Sequence, residues 1–309
     1  MRSNAFKLPI EDNLNMQVYA WLPEHDQDIK AVVQIAHGMA EHGKRYADFA
    51  KFLNTHGYAV YANDHRGHGQ TAGSLDNVGY FSDKDGFNKA VNDLKKLSED
   101  IKSKHPDKPL FLLGHSMGTF LFRKYMMDPP VELKGVILSG TAGHPGLLGQ
   151  SGIFISNLLK IFNSPKAPSP LMNALSFKAY NKAFKPNRTD FDWLSRDHEK
   201  VDEYVNDPYC GTVFSIQFFN DLINGLLDVS DQKNIDKTNE NLPLLLVSGA
   251  EDPVGNNGKG VTEVFNKFNK TGLKDLTLKL FENGRHEILN ETNRVEVYNF
   301  ILNWLEERI

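Results

Sequence analysis

The chain has 309 residues, of which 40% are hydrophobic and 24% charged, a globular composition that excludes a disordered protein. A formal net charge of -4 supplies no basic field, which argues against nucleic acid as a partner. The single cysteine, Cys210, excludes an internal disulfide and favours a reducing cytoplasm.

Residues 1–17 carry no apolar core of signal-peptide length, and no later apolar run reaches membrane-spanning length. A soluble cytoplasmic protein is therefore expected, with contact at a membrane surface left open. Short apolar runs at Ala31–His37, Tyr58–Asn63, Pro109–Leu113 and Gly135–Ser139 predict strands, and two more follow at Leu244–Ser248 and Leu276–Phe281. Near-continuous runs of this length fit a parallel sheet covered by helices on both faces. Tyr46, Phe49, Phe52 and Leu53 recur at helical spacing, as do Phe87, Val91, Leu94 and Leu97, and the stretch Val295–Leu305 does the same. Strand–helix alternation of this kind predicts an α/β fold.

From about Gly143 to Asn234 the alternation stops. Turns rich in glycine and proline separate amphipathic patterns at Ser151–Phe162 and Val213–Leu227. The expected organisation is a core of residues 1–142 and 235–309, with residues 143–234 forming a helical cap over the C-terminal edge of the sheet. In open α/β sheets that edge holds the ligand crevice. The first cap pattern, around Ile153–Phe162, is more apolar than one buried face requires. It either packs on the core, or lines an acyl channel or touches lipid.

Gly114-His115-Ser116-Met117-Gly118 follows one predicted strand and precedes a helical stretch. This is the setting of a nucleophile elbow, a tight strand-to-helix turn that exposes a serine hydroxyl. A serine needs a base to take its proton, and the base needs an acid to orient it. Asp252 and His286 each lie just beyond a predicted strand, in the chain order Ser…Asp…His. Glu251 is the rival acid; Asp252 is preferred because Pro253 helps fix its turn. For the oxyanion, the candidate donors are the N–H of Met117 and, from the loop His37–His42, the N–H of Met39. His65 and His68 lack the helical spacing of a zinc pair, as do His37 and His42, so no metal or other cofactor is expected. Their expected work is to hold turns by hydrogen bonding, and Cys210 is expected to be structural.

HGMAEHGKRY (His37–Tyr46), DHRGHGQT (Asp64–Thr71), GHSMG and LSRDHEKVDEYVNDP (Leu194–Pro208) together resemble the monoacylglycerol lipase and lysophospholipase branch of the α/β-hydrolases. The resemblance spans nearly the whole chain. It implies hydrolysis of a single-chain lipid ester in a capped pocket, with Glu41, Arg45 and Tyr204 at positions that help hold the polar alcohol. One departure is Leu289, where animal members carry a second histidine. A lysophospholipid or simpler ester therefore stays open beside a monoacylglycerol. A general carboxylesterase, thioesterase, peptidase or acyltransferase remains an alternative on the same site, as does a non-catalytic binding protein of the same fold. Oligomeric state is not legible.

Overall fold

The computed structural model describes all 309 residues. Eight strands form one sheet: β1 (Arg2–Pro9), β2 (Asn15–Leu22), β3 (Ala31–Ala36), β4 (Tyr58–Asn63), β5 (Leu110–His115), β6 (Gly135–Ser139), β7 (Leu244–Gly249) and β8 (Leu276–Phe281). Their order is β1-β2-β4-β3-β5-β6-β7-β8. The β1–β2 and β2–β4 pairs are antiparallel, and every other neighbour is parallel. The ten helices are α1 (Ala47–Asn54), α2 (Gly86–Lys104), α3 (Met117–Tyr125), α4 (Gly146–Phe162), α5 (Pro170–Phe177), α6 (His198–Asn206), α7 (Ile216–Ser230), α8 (Gln232–Ile235), α9 (Lys259–Lys270) and α10 (Arg294–Glu306).

The expected parallel sheet is present, and the antiparallel pair β1–β2 joins it at one edge. Neither of these two strands is a continuous apolar run. In β2 the alternate residues Met16, Val18 and Ala20 enter the core, with Trp21 buried on the opposite face near the strand's end, and β1 is mostly exposed. That is the period-2 pattern of a strand with one wet face, and polar residues such as Arg2 and Lys7 suit an unpaired edge. At the other edge, β8 is half-buried along most of its length, so only the strands between are covered on both faces.

Helices pack both faces because each sends one stripe inward. Phe49 and Leu53 of α1 join Trp304 and Leu305 of α10 on one face. Leu94 and Leu97 of α2, Phe122 of α3, and Val264 of α9 fill the other, together with Phe218 and Phe219 of α7. Between β6 and β7 the chain runs through α4 to α8, with one isolated strand-type bridge, Pro168 to Ser215. The two helices expected in this stretch are α4 and α7, offset by a few residues. The Ser215 hydroxyl accepts from the Phe218 N–H at 3.2 Å and so fixes the start of α7.

Candidate active site

Parallel strands end together, so the loops after β3, β5, β7 and β8 converge on one edge. Ser116 lies between β5 and α3 with φ 50° and ψ -118°, a left-handed backbone that a side chain enters at a cost of about 1–3 kcal/mol. The elbow is held in place by its neighbours. The Ser116 N–H donates to Ser139 O at 2.9 Å, and the Thr119 N–H donates to Ser116 O at 2.9 Å. The glycines are steric requirements: a Cβ on Gly114 would stand 2.7 Å from Gly118 O, and one on Gly118 would collide with Ala36 O.

Asp252 is fully buried, while Glu251 is exposed. One Asp252 oxygen, Oδ1, accepts from the Val254 N–H at 2.9 Å and lies 2.9 Å from His286 Nδ1. The other, Oδ2, accepts from Ser248 Oγ at 3.1 Å. With Nδ1 committed to Asp252, Nε2 is the His286 nitrogen left for proton transfer. Burial disfavours a charged His286 ring, yet the charge and hydrogen bond of Asp252 outweigh it and raise the pKa above its ordinary value. Here no hydrogen bond joins Ser116 Oγ to His286, whose ring bonds only to Asp252. Such catalytic bonds commonly tighten when substrate arrives.

The loop after β3 runs beside the elbow, and a Cβ on Gly38 would sit 3.2 Å from Ser116 Cβ. The Gly38 N–H donates to Glu41 Oε1 at 2.6 Å. Ala40, at φ 58°, turns its carbonyl toward the Tyr204 hydroxyl at 2.9 Å and the Gly211 N–H at 3.0 Å. Met39 is half-buried in this turn, and Met117 is the first residue of α3, where a backbone N–H has no acceptor within its own helix.

Glu41, Arg45 and Tyr204 are indeed brought together, but around one another. Arg45 Nη1 donates to Glu41 Oε2 at 2.6 Å and to Glu287 Oε1 at 2.7 Å, while Nη2 reaches Glu287 Oε2 at 2.8 Å. The guanidinium lies 4.9 Å from the Tyr204 ring centroid, and Tyr46 donates to Glu41 Oε1 at 2.9 Å. The Glu41, Tyr46, Tyr204 and Glu287 side chains are buried, and that of Arg45 is only 10% exposed. Burial alone would raise the Glu287 pKa, but the Arg45 charge and hydrogen bonds hold it well below the usual carboxylate range.

The family model Hydrolase_4 (serine aminopeptidase, S33) matches residues 27–293. The chain belongs to this family. It is 29% identical to a monoacylglycerol lipase of Mycolicibacterium smegmatis, over 92% of this chain and 90% of that protein. It is 31% identical to a monoglyceride lipase of Rattus norvegicus, over 91% and 84%. A crystal structure of a thermostable carboxyl esterase from Bacillus coagulans, in complex with glycerol, superposes with a TM-score of 0.91 at 26% identity, covering 100% and 99%. The chain is thus an α/β-hydrolase of the monoacylglycerol lipase-like branch, and a carboxylic ester hydrolase.

Behind the loop after β3 of this hydrolase, the histidines hold turns. His65 N–H donates to His37 Nε2 at 2.9 Å, and His65 Nε2 lies 3.1 Å from His37 O. His68 Nδ1 lies 3.0 Å from Arg66 O. Arg66 itself is fully buried and grips Asp93 through Nε at 2.7 Å and Nη2 at 3.0 Å. One group of metal-ligating types occurs elsewhere, His42, Asp207 and Cys210, but His42 Nε2 and Asp207 Oδ2 already bond to each other at 2.9 Å. Cys210 is half-buried, and burial pushes its thiol pKa up, the reverse of an activated nucleophile. An open groove of about 780 Å³ runs past His42, Asp207 and Tyr19, away from Ser116.

Sequence reasoning missed two features of the hydrolase site. Trp193 packs its ring, tilted by 35°, 5.2 Å from that of His286, and Phe177 and Tyr180 pack on Trp193. Aromatic residues in a segment without regular spacing give no local signal. Glu287 is the second, although a charged residue directly after His286 is visible in the sequence.

Proposed function

We propose that this enzyme hydrolyses carboxylic esters of single-chain lipids, monoacylglycerols or lysophospholipids, through an acyl-enzyme on Ser116. The observation that carries the reading is the buried Asp252–His286 pair, whose imidazole lies 4.7 Å, centroid to centroid, from the ring of His115, the residue before a serine in a left-handed elbow. His286 Nε2 takes the Ser116 proton as Oγ attacks the ester carbonyl carbon. The Met39 and Met117 N–H groups stabilise the oxyanion, and Asp252 stabilises the imidazolium. The imidazolium then gives its proton to the leaving alcohol as the C–O bond breaks. A water molecule, deprotonated by His286, attacks the acyl-enzyme and releases the fatty acid. No cofactor enters these steps.

Residues 143–234 act as the cap. Support comes from the His286 N–H donating to Trp193 O at 3.4 Å and the Glu287 N–H donating to Leu194 O at 2.7 Å, which tie the base loop to this segment. Trp193, Phe177 and Tyr180 offer an apolar wall to an acyl chain. Glu41, Arg45 and Tyr204 serve the alcohol half by shaping the loop it would meet. Leu147, Leu148, Phe154, Ile161 and Phe162 of α4 are largely exposed. An apolar patch of that kind supports transient docking on a lipid surface, as expected of a cytoplasmic enzyme that is peripheral to membranes. No helix is long and apolar enough to cross a membrane.

A general carboxylesterase is the second reading, favoured by the close superposition on the Bacillus coagulans carboxyl esterase. A fluorophosphonate probe should label the native protein and leave Ser116→Ala unlabelled; equal labelling of both would overturn the mechanism. Faster turnover of monoacylglycerols or lysophosphatidylcholine than of short soluble esters separates the lipid reading from the general one.

A further inference from the structure

We propose that Glu287 is a positioning residue that clamps Arg45, so that one guanidinium ties the loop of the general base to the loop of the oxyanion hole. The inference rests on the Ser116–Asp252–His286 reading. Its basis is an unbroken path of short bonds. From the Gly38 N–H the path passes to Glu41 Oε1, and from Glu41 Oε2 to Arg45 Nη1 at 2.6 Å. Arg45 then grips both oxygens of Glu287 at 2.7 and 2.8 Å. Glu287 is joined to His286 by a peptide bond, and His286 ends on Asp252. Residues 242 positions apart in the chain are thereby held in one rigid unit.

Each link is closed. Glu41 Oε1 is also held by Tyr46, Glu287 Oε2 also accepts from Asn290 Nδ2 at 2.8 Å, and the Tyr204 ring lies against the guanidinium. Two carboxylates and one guanidinium in a buried cluster make a costly way to stabilise a fold, since apolar residues of similar volume commonly do as well or better. What the cluster supplies that apolar packing does not is direction. A guanidinium presents its donors in a fixed fork, so a carboxylate on each side fixes the relative position of the two loops. That relation sets where the Met39 N–H and His286 Nε2 lie around Ser116, and rates respond to such geometry by on the order of 100-fold per ångström of misplacement.

The test uses Glu287→Gln and Arg45→Lys, singly and together, in the full chain. Active sites are first counted with a fluorophosphonate, and turnover of p-nitrophenyl butyrate is expressed per labelled site. The expected result is a fall in kcat on the order of 10- to 100-fold for each single variant, with KM changed less than about twofold. The double variant should be no worse than the poorer single, because both break the same tie. An alkyl boronic acid, which forms a tetrahedral adduct on the serine, should lose affinity in parallel with kcat. If kcat per labelled site stays within about twofold of the native enzyme while only Tm falls, the network merely stabilises the fold and the proposal is wrong. Additive losses in the double variant would also overturn it, as would failure of both single variants to fold. Absence of labelling in the native protein would instead sink the Ser116 mechanism itself.

Discussion

His37, His65, His68 and His115 are buried around the site, and the fold holds all four neutral. Burial and neighbouring histidines push His37 well below its ordinary value, and the same causes take His65 to about 3. Burial brings His68 to about 4, and burial with the charge of His286 brings His115 to about 4. In the unfolded chain each titrates near 6.5. Between those limits the unfolded chain binds more protons, so stability is fully present above about pH 6.5 and is lost as pH falls toward the folded values. At pH 5, about 1.5 units below 6.5, each histidine costs about 2 kcal/mol, so His65, His68 and His115 together cost about 6 kcal/mol and His37 adds in the same direction. His286, whose pKa is raised, works with the opposite sign and gains stability as it protonates below its folded value. The net loss is a large fraction of a typical stability of about 5–15 kcal/mol. Urea unfolding followed by tryptophan fluorescence at pH 7 and pH 5 measures it. A difference below about 2 kcal/mol would mean that these histidines are hydrated or charged in the folded chain, and would refute the reasoning.

Asp252→Asn should leave the fold intact and lower kcat by on the order of 10⁴-fold, because an amide on His286 Nδ1 favours the wrong tautomer; a loss under about tenfold would remove Asp252 from the mechanism. Leu148→Asp combined with Phe162→Asp should weaken sedimentation with phosphatidylcholine vesicles and slow turnover of vesicle-borne monoacylglycerol. Turnover of a short soluble ester should stay unchanged, and unaltered vesicle binding would dissociate the α4 patch from lipid.

The proposed catalytic set is legible in the sequence because each of its members follows a strong local pattern. Ser116 sits in a glycine-bounded turn after an apolar run, and Asp252 and His286 follow two more such runs. What was not legible depends on distance in the chain or on half-burial. The Arg45–Glu287 pair has no local spacing to reveal it, and Glu41, Arg45 and Tyr204 stand out only through the family resemblance, as positions for the alcohol, which says nothing of their mutual bonds. Strands β1 and β2 escaped because an edge hairpin alternates where a buried strand runs continuously apolar. The helical stretch between β6 and β7 was visible as a break in rhythm, but its packing was not. Trp193 reaches His286 from a turn whose residues carry no periodic signal.

The place of that stretch in the chain has a consequence for synthesis. The proposed nucleophile Ser116, its elbow and the loop after β3 all lie before the end of β6 at Ser139, whereas Asp252 and His286, its proposed acid and base, come after Leu244. Pairing β7 with β6 must close the whole intervening segment, at an entropic cost of about 4 kcal/mol. A growing chain that has made its first six strands therefore carries a serine with no base to activate it. On the proposed mechanism, reactivity toward esters is switched on only when the late strands dock, so a nascent or truncated polypeptide cannot cleave an ester.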